Sequence, residues 1–270
     1  MKSNSWLVCP PKFYTISYEI NPWMNLSVTP DLSEAVRQWQ VLYETFQKLG
    51  ADIKSVEPLS YQPDMVFTAN AGLINGKNVV LSNFKFEERR GEEAAFREWF
   101  DQNGFNVTLP SKSFEGEGDA LFADALSSKD ILVCGYGFRT DEEVFSEVQA
   151  HLQVKETLLV ELVDPRFYHL DTCFCPLGEG RAIYFPPAFS EESVARLKSK
   201  FRLFEVPEID AVKFACNAVI MGENTVIPAG CEATEKILSD LGFKPHPVKL
   251  DEFIKAGGAA KCLVLSLDSY

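Results

Sequence analysis

Five stretches with helical periodicity recur along the chain at intervals of roughly forty to sixty residues, each followed by a short apolar strand. The predicted helices run from Asp31 to about Leu49, from about Arg89 to Gln102, from Asp141 to Leu152, from Ser190 to Phe201 and from about Glu232 to Leu241. Three of the helix-to-strand junctions look alike: Lys48-Leu49-Gly50-Ala51, Gln102-Asn103-Gly104-Phe105 and Asp240-Leu241-Gly242-Phe243. Glycine there suits the left-handed position that ends a helix and reverses the chain. Between these pairs lie matched apolar runs. MVFTANAGLI and NVVLSNF flank the turn Asn75-Gly76-Lys77, and ALFADAL with ILVCGYG, TCFCPL with AIYFPP, and AVIMG with TVIPAG repeat the arrangement.

The chain therefore reads as five units of hairpin, helix and strand, an α/β pattern that closes or stacks. Five blades closed round an axis would send polar residues from every unit into one shared pocket. A doubly wound sheet is the competitor, but no G-x-G-x-x-G follows a first strand and no G-x-x-x-x-G-K-[ST] occurs. No linker or low-complexity tract divides residues 1–270, which are expected to form one domain.

Charge narrows the partners. Asp and Glu total 39 against 26 Lys and Arg, a net charge of −13, which works against wrapping a phosphate backbone. Nucleic acid is not expected as a partner. The N-terminus lacks a basic stretch followed by an apolar run, and no segment approaches ~18 uncharged apolar residues, so neither export nor a membrane span is expected. Seven scattered cysteines, without CxxC spacing, point to a reducing compartment, the cytoplasm. Cys173 and Cys175 read as buried core thiols.

Of three histidines, His151 and His246 read as surface residues. His169 lies in Arg166-Phe167-Tyr168-His169-Leu170-Asp171-Thr172, where alternation would put His169 and Asp171 on one face of a strand or extended loop. That pair fits an acid/base site or a hydrogen-bonded structural histidine. Cys262 follows the small-residue loop Ala256-Gly257-Gly258-Ala259-Ala260-Lys261, which leaves room for a ligand at the sulfur, and Lys261 would favour its thiolate. A buried cysteine opening a core strand fits the same residues. The segment Phe114-Glu115-Gly116-Glu117-Gly118-Asp119 interleaves carboxylates with glycines, which fits a solvated acidic turn or a tight inward bend able to grip a guanidinium. In Pro63-Asp64-Met65-Val66-Phe67-Thr68-Ala69-Asn70, Asp64 would open an apolar strand, with Asn70 on the same face.

Together these blocks resemble the guanidino-group-modifying enzymes, the pentein superfamily, which includes arginine deiminase, dimethylarginine dimethylaminohydrolase and the amidinotransferases. The resemblance is strongest to the arginine dihydrolases and runs almost end to end, through Tyr18 to Met24, Pro63 to Gly72, Arg89 with Gly91-Glu92-Glu93, Phe114 to Leu121, Gly135 to Arg139, Phe167 to Pro176, Phe214 to Ala218 and Ala256 to Leu263. It implies a five-bladed α/β propeller. It also implies a hydrolase with Cys262 as nucleophile, His169 as general acid/base and Glu115 as the carboxylate on the guanidinium, with Glu117 as the other candidate. Asp64 and Asp171 would bind guanidinium nitrogens, and Arg89 and Arg139 the substrate α-carboxylate. Asn70 would sit where citrulline is carried on to ornithine, with Asn21 and Ala256 completing the substrate site. The resemblance implies no metal and no cofactor, a small-molecule partner (arginine or a methylated arginine), and allows a homo-oligomer. With Tyr270 ending the chain, no cyclodeaminase domain is expected after it.

Overall fold

The computed structural model describes residues 4–124, 126 and 131–267. The first blade opens with β1 (Ser5–Val8), crosses through α1 (Leu32–Lys48) and returns parallel to it as β2 (Asp52–Ser55). In the second, the hairpin β3 (Gly72–Asn75) and β4 (Asn78–Leu81) leads through α2 (Glu87–Gln102) to β5 (Asn106–Thr108), parallel to β4. The third repeats this with β6 (Ala120–Ala123), β7 (Ile131–Tyr136), α3 (Val144–Leu152) and β8 (Glu156–Glu161). The fourth has β9 (Phe174–Gly178), β10 (Arg181–Tyr184), α4 (Glu191–Lys200) and β11 (Arg202–Glu205). After the short α5 (Glu208–Ala211), the fifth comprises β12 (Val219–Met221), β13 (Asn224–Pro228), α6 (Glu232–Asp240) and β14 (Lys244–Val248). Past α7 (Asp251–Ile254), the last strand β15 (Leu265–Ser266) pairs antiparallel with β1 and completes the first blade. The outcome is five three-stranded sheets, the fivefold propeller expected from the repeats.

Packing follows from the sequence pattern. Helix α1 buries Ala35, Gln38, Trp39, Leu42 and Phe46, one stripe at helical spacing, and Asp31 caps it by accepting from the Glu34 N–H at 3.1 Å. Helices wedge between neighbouring blades: α3 against β4, α4 against β8, and α1 against β14. The central strands β4, β7, β10 and β13 are largely buried, whereas the outer β2, β5 and β11 are partly exposed. Gly50, Gly104 and Gly242 all take positive φ (85°, 77° and 90°), as the three matching junctions required.

Some boundaries differ from the sequence reading. Helix α2 starts at Glu87, where Glu87 and Glu88 favour the positive end of the helix dipole. Helix α3 starts at Val144, because the backbone at Asp141 and Glu142 closes turns onto Val144 and Phe145 instead. The run MVFTANAGLI joins the sheet only from Gly72; Pro63–Val66 and Thr68–Ala71 are 3-10 turns, so Asp64 and Asn70 stand on turns and not on a strand. His169 caps another such turn, Leu170–Thr172, rather than sharing a strand face with Asp171. His151 is exposed, while His246 is half-buried in β14, its Nε2 2.9 Å from the Asn224 side-chain oxygen. Among the described residues no helix is long and apolar enough to cross a membrane. All seven cysteines are free and buried.

Candidate active site

Irregular turns and loops from several blades, among them 64–70, 168–169 and 256–262, line one polar cavity. The glycines of Glu115-Gly116-Glu117-Gly118 have a steric purpose there. Gly116 holds φ at +62°, and a Cβ on it would stand 2.7 Å from the Ala69 and Gly72 carbonyl oxygens. A Cβ on Gly118 would lie 2.4 Å from Asn70 Nδ2 and 3.3 Å from the His169 ring. Bare backbone at these points lets the turn press against both functional side chains.

Eight of the ten residues singled out in the sequence line the cavity: Asn21, Asp64, Asn70, Arg89, Arg139, His169, Ala256 and Cys262. Asn21 donates to the Ala256 carbonyl (3.0 Å), closing the 20–24 loop over one side. Asp64 is buried with Oδ1 lacking any hydrogen-bond partner, and burial pushes its carboxyl up despite Arg89 nearby. An orphan acceptor on a cavity wall is a place for a ligand donor. Arg89 forks onto Glu92 (2.8 Å from Nε and from Nη2) and donates from Nη1 to Asn70 Oδ1 at 2.8 Å, seated over the Phe84 ring. Burial pushes Glu92 up to about 7 against the pull of Arg89. Arg139 lies between the rings of Phe86 and Tyr168, 4.7 and 4.6 Å from their centroids.

Glu115 and Asp171 stand behind the cavity wall instead of on it. Glu115 is fully buried, its Oε2 2.8 Å from His169 Nε2 and 2.9 Å from Arg139 Nη1. Burial alone would raise its pKa, but the Arg139 and His169 charges hold it well below the usual carboxylate range. It therefore holds both the imidazole and Arg139 from behind the cavity wall. Asp171 Oδ2 accepts the Cys262 thiol at 3.3 Å, while Oδ1 is buried and unpartnered. Burial, moderated by Lys261, lifts Asp171 to about 7.

Glu117 faces away from the cavity, accepting from Lys261 Nζ (2.7 Å) and the Ser266 N–H (3.1 Å). Lys261 is thus committed to Glu117 and does not promote the thiolate as the sequence suggested. Burial and then the Asp171 carboxylate instead push the Cys262 thiol well above its ordinary value. A protonated sulfur is the resting form at neutral pH. Ile20, Met24, Phe67, Tyr168 and Gly258 complete the lining and were not singled out beforehand. Tyr168 adjoins His169 in sequence, but only the fold shows its hydroxyl bonded to the Gly257 carbonyl at 2.9 Å. Among the described residues no group of three or more His, Cys, Asp or Glu side chains is arranged to hold a metal ion.

No protein-family model matches the chain. It is 45% identical over 266 residues to the bifunctional arginine dihydrolase/ornithine cyclodeaminase ArgZ of Synechocystis, covering 96% of this chain and 37% of that protein. This chain thus spans little more than a third of that relative. It is 38% identical over 267 residues to N(G),N(G)-dimethylarginine dimethylaminohydrolase of Mycobacterium tuberculosis, covering 98% of this chain and 86% of the relative. The fold superposes on the N-terminal domain of cyanobacterial ArgZ, solved as a cysteine-to-serine mutant bound to substrate, with a TM-score of 0.94, 42% identity and 98% coverage of each chain. The chain belongs to the pentein superfamily of guanidino-group-modifying enzymes, among the relatives of arginine dihydrolase and dimethylarginine dimethylaminohydrolase.

Proposed function

We propose that this chain is an arginine dihydrolase, converting arginine to ornithine, carbon dioxide and two molecules of ammonia through a covalent intermediate on Cys262. The observation that carries the reading is a thiol, an imidazole and an unpartnered carboxylate oxygen on Asp64 gathered round one polar cavity with two arginines in its wall. The match to the ArgZ N-terminal domain over nearly the whole of both chains supports the choice of substrate. Residues 1–270 act as one catalytic domain, and seven free, buried cysteines support a cytoplasmic setting.

The chemistry follows from the charges. A guanidinium entering beside Asp64 places a cation against the sulfur and favours the thiolate that burial otherwise suppresses. His169 takes the thiol proton, Sγ attacks the guanidinium carbon, and the same proton leaves with the first ammonia. A thiouronium remains on Cys262. His169 then deprotonates a water, which attacks the carbon and expels the thiolate to give citrulline. A second round on retained citrulline, with Asn70 holding it, releases the second ammonia, carbon dioxide and ornithine. Arg89 and Arg139 receive the substrate α-carboxylate.

The test is a product assay with isotopically labelled arginine and a Cys262→Ser control. Ornithine with two ammonia per arginine is expected, and none from the serine variant. Citrulline as sole product would make the chain a deiminase. The similarity to the mycobacterial relative favours dimethylarginine as the second substrate to assay, and turnover of it alone would replace arginine in this reading.

A further inference from the structure

Four of the inward turns serve the proposed reaction: Thr68–Ala71 carries Asn70, Gly116–Gly118 follows Glu115, which bonds His169, Leu170–Thr172 is capped by His169 itself, and the turn before β15 carries Cys262. The corresponding turn of the remaining blade, residues 214–218 ahead of β12, has no role so far.

That turn presents Asn217, which is fully buried. Its Nδ2 donates to Cys262 Sγ at 3.1 Å and to the Asp171 carbonyl at 3.0 Å. Its Oδ1 accepts from the N–H groups of Lys261 (2.9 Å) and Cys262 (3.2 Å). One amide thus fixes both the backbone and the sulfur of Cys262. The turn is held in a costly conformation to do so. Phe214, not a glycine, sits at φ 61°, and its carbonyl accepts from the Asn217 N–H at 2.8 Å. The Phe214 ring is clamped between Trp23 and Phe167, with centroids 4.7 and 6.4 Å away.

The sulfur needs such a donor. Burial and the Asp171 carboxylate both oppose a negative sulfur, and the Ala259 backbone with the Asn217 amide works against them. We infer that Asn217 is a catalytic residue of this site, whose amide N–H stabilises the Cys262 thiolate while its carbonyl oxygen locks the loop that carries it. The inference rests on Cys262 being the nucleophile.

The experiment needs no substrate. Alkylation of Cys262 by iodoacetamide is followed by mass spectrometry from pH 6.5 to 9.5 in the wild type and Asn217→Ala, with Cys262→Ser marking background labelling and thermal melting confirming the fold. A hydrogen bond to a charged group shifts the thiolate fraction about 10- to 100-fold, and the accompanying gain in nucleophilicity leaves alkylation roughly three- to tenfold slower. A merely structural role predicts the opposite sign, because a loosened, better solvated thiol ionises more readily and reacts faster. Slower alkylation in the folded variant supports the inference; an equal or faster rate overturns it. If Asn217→Ala does not fold, Asn217→Ser, whose hydroxyl is too short to reach the sulfur, is read by the same criterion. Should arginine prove not to be the substrate, the alkylation comparison still decides the role of Asn217.

Discussion

Glu115 and Gly118 illustrate how little freedom individual residues have near Cys262. Glu115 is buried between Arg139 and His169, so Glu115→Gln keeps the shape but strands the Arg139 charge. Breaking a buried pair in this way is expected to cost about 3–5 kcal/mol, seen as a lower melting temperature, together with a large fall in kcat as His169 loses its orienting partner. Unchanged melting would mean that the Arg139 charge is relieved some other way. Gly118→Ala forces a Cβ against Asn70 and the His169 ring. Misplacing the imidazole by a fraction of an ångström is expected to lower kcat about 10²-fold, more than the loss of stability explains. The glycine pattern was visible in the sequence, but its reason was not, since the crowding atoms come from Asn70 and His169, both about fifty residues away along the chain.

At the scale of elements, helices and their stops were the legible part. The apolar stripe of α1, its Asp31 cap and the three junction glycines are local features, set by side-chain spacing and backbone freedom. Asp31→Ala is expected to lower stability by about 1 kcal/mol while leaving kcat unchanged, read by thermal melting beside the product assay. The inward 3-10 turns were not legible. Their residues, such as Met65, Val66 and Phe67, are as apolar as strand residues because they too are buried, and apolarity alone does not separate a buried turn from a buried strand.

For the whole molecule, closure of the ring depends on β15 pairing with β1, where Leu265 lies opposite Leu7 and is fully buried. Leu265→Ala is expected to cost about 2–5 kcal/mol and, with Cys262 on the turn just before this strand, to reduce activity as well; urea unfolding and kcat test both. The buried carboxylates also set a pH dependence. Asp171 is lifted from 3.8 to about 7, so the folded protein binds more protons than the unfolded chain across that window. Stability from this group therefore falls as pH rises from about 4 to about 7, and the penalty is complete above that. Asp171→Asn removes it. The variant should melt progressively higher than the wild type as pH rises from 5 to 8, although catalytically impaired. A constant difference in melting temperature would show that Asp171 is not the group responsible.

The sequence by itself determined the five repeats, the helix boundaries to within a few residues, the pentein resemblance and eight side chains that do line the cavity. Those follow from periodicity, turn chemistry and motif, all of which are written within short windows of chain. Only the tertiary structure decided that Glu115 backs His169, that Lys261 serves Glu117 instead of the thiolate, and that Asn217 grips Cys262. A side chain's local pattern fixes which way it leaves its own backbone. What it meets there is supplied by another blade, 45 residues away for Asn217 and Cys262 and 144 for Glu117 and Lys261, and that is settled only when the ring closes.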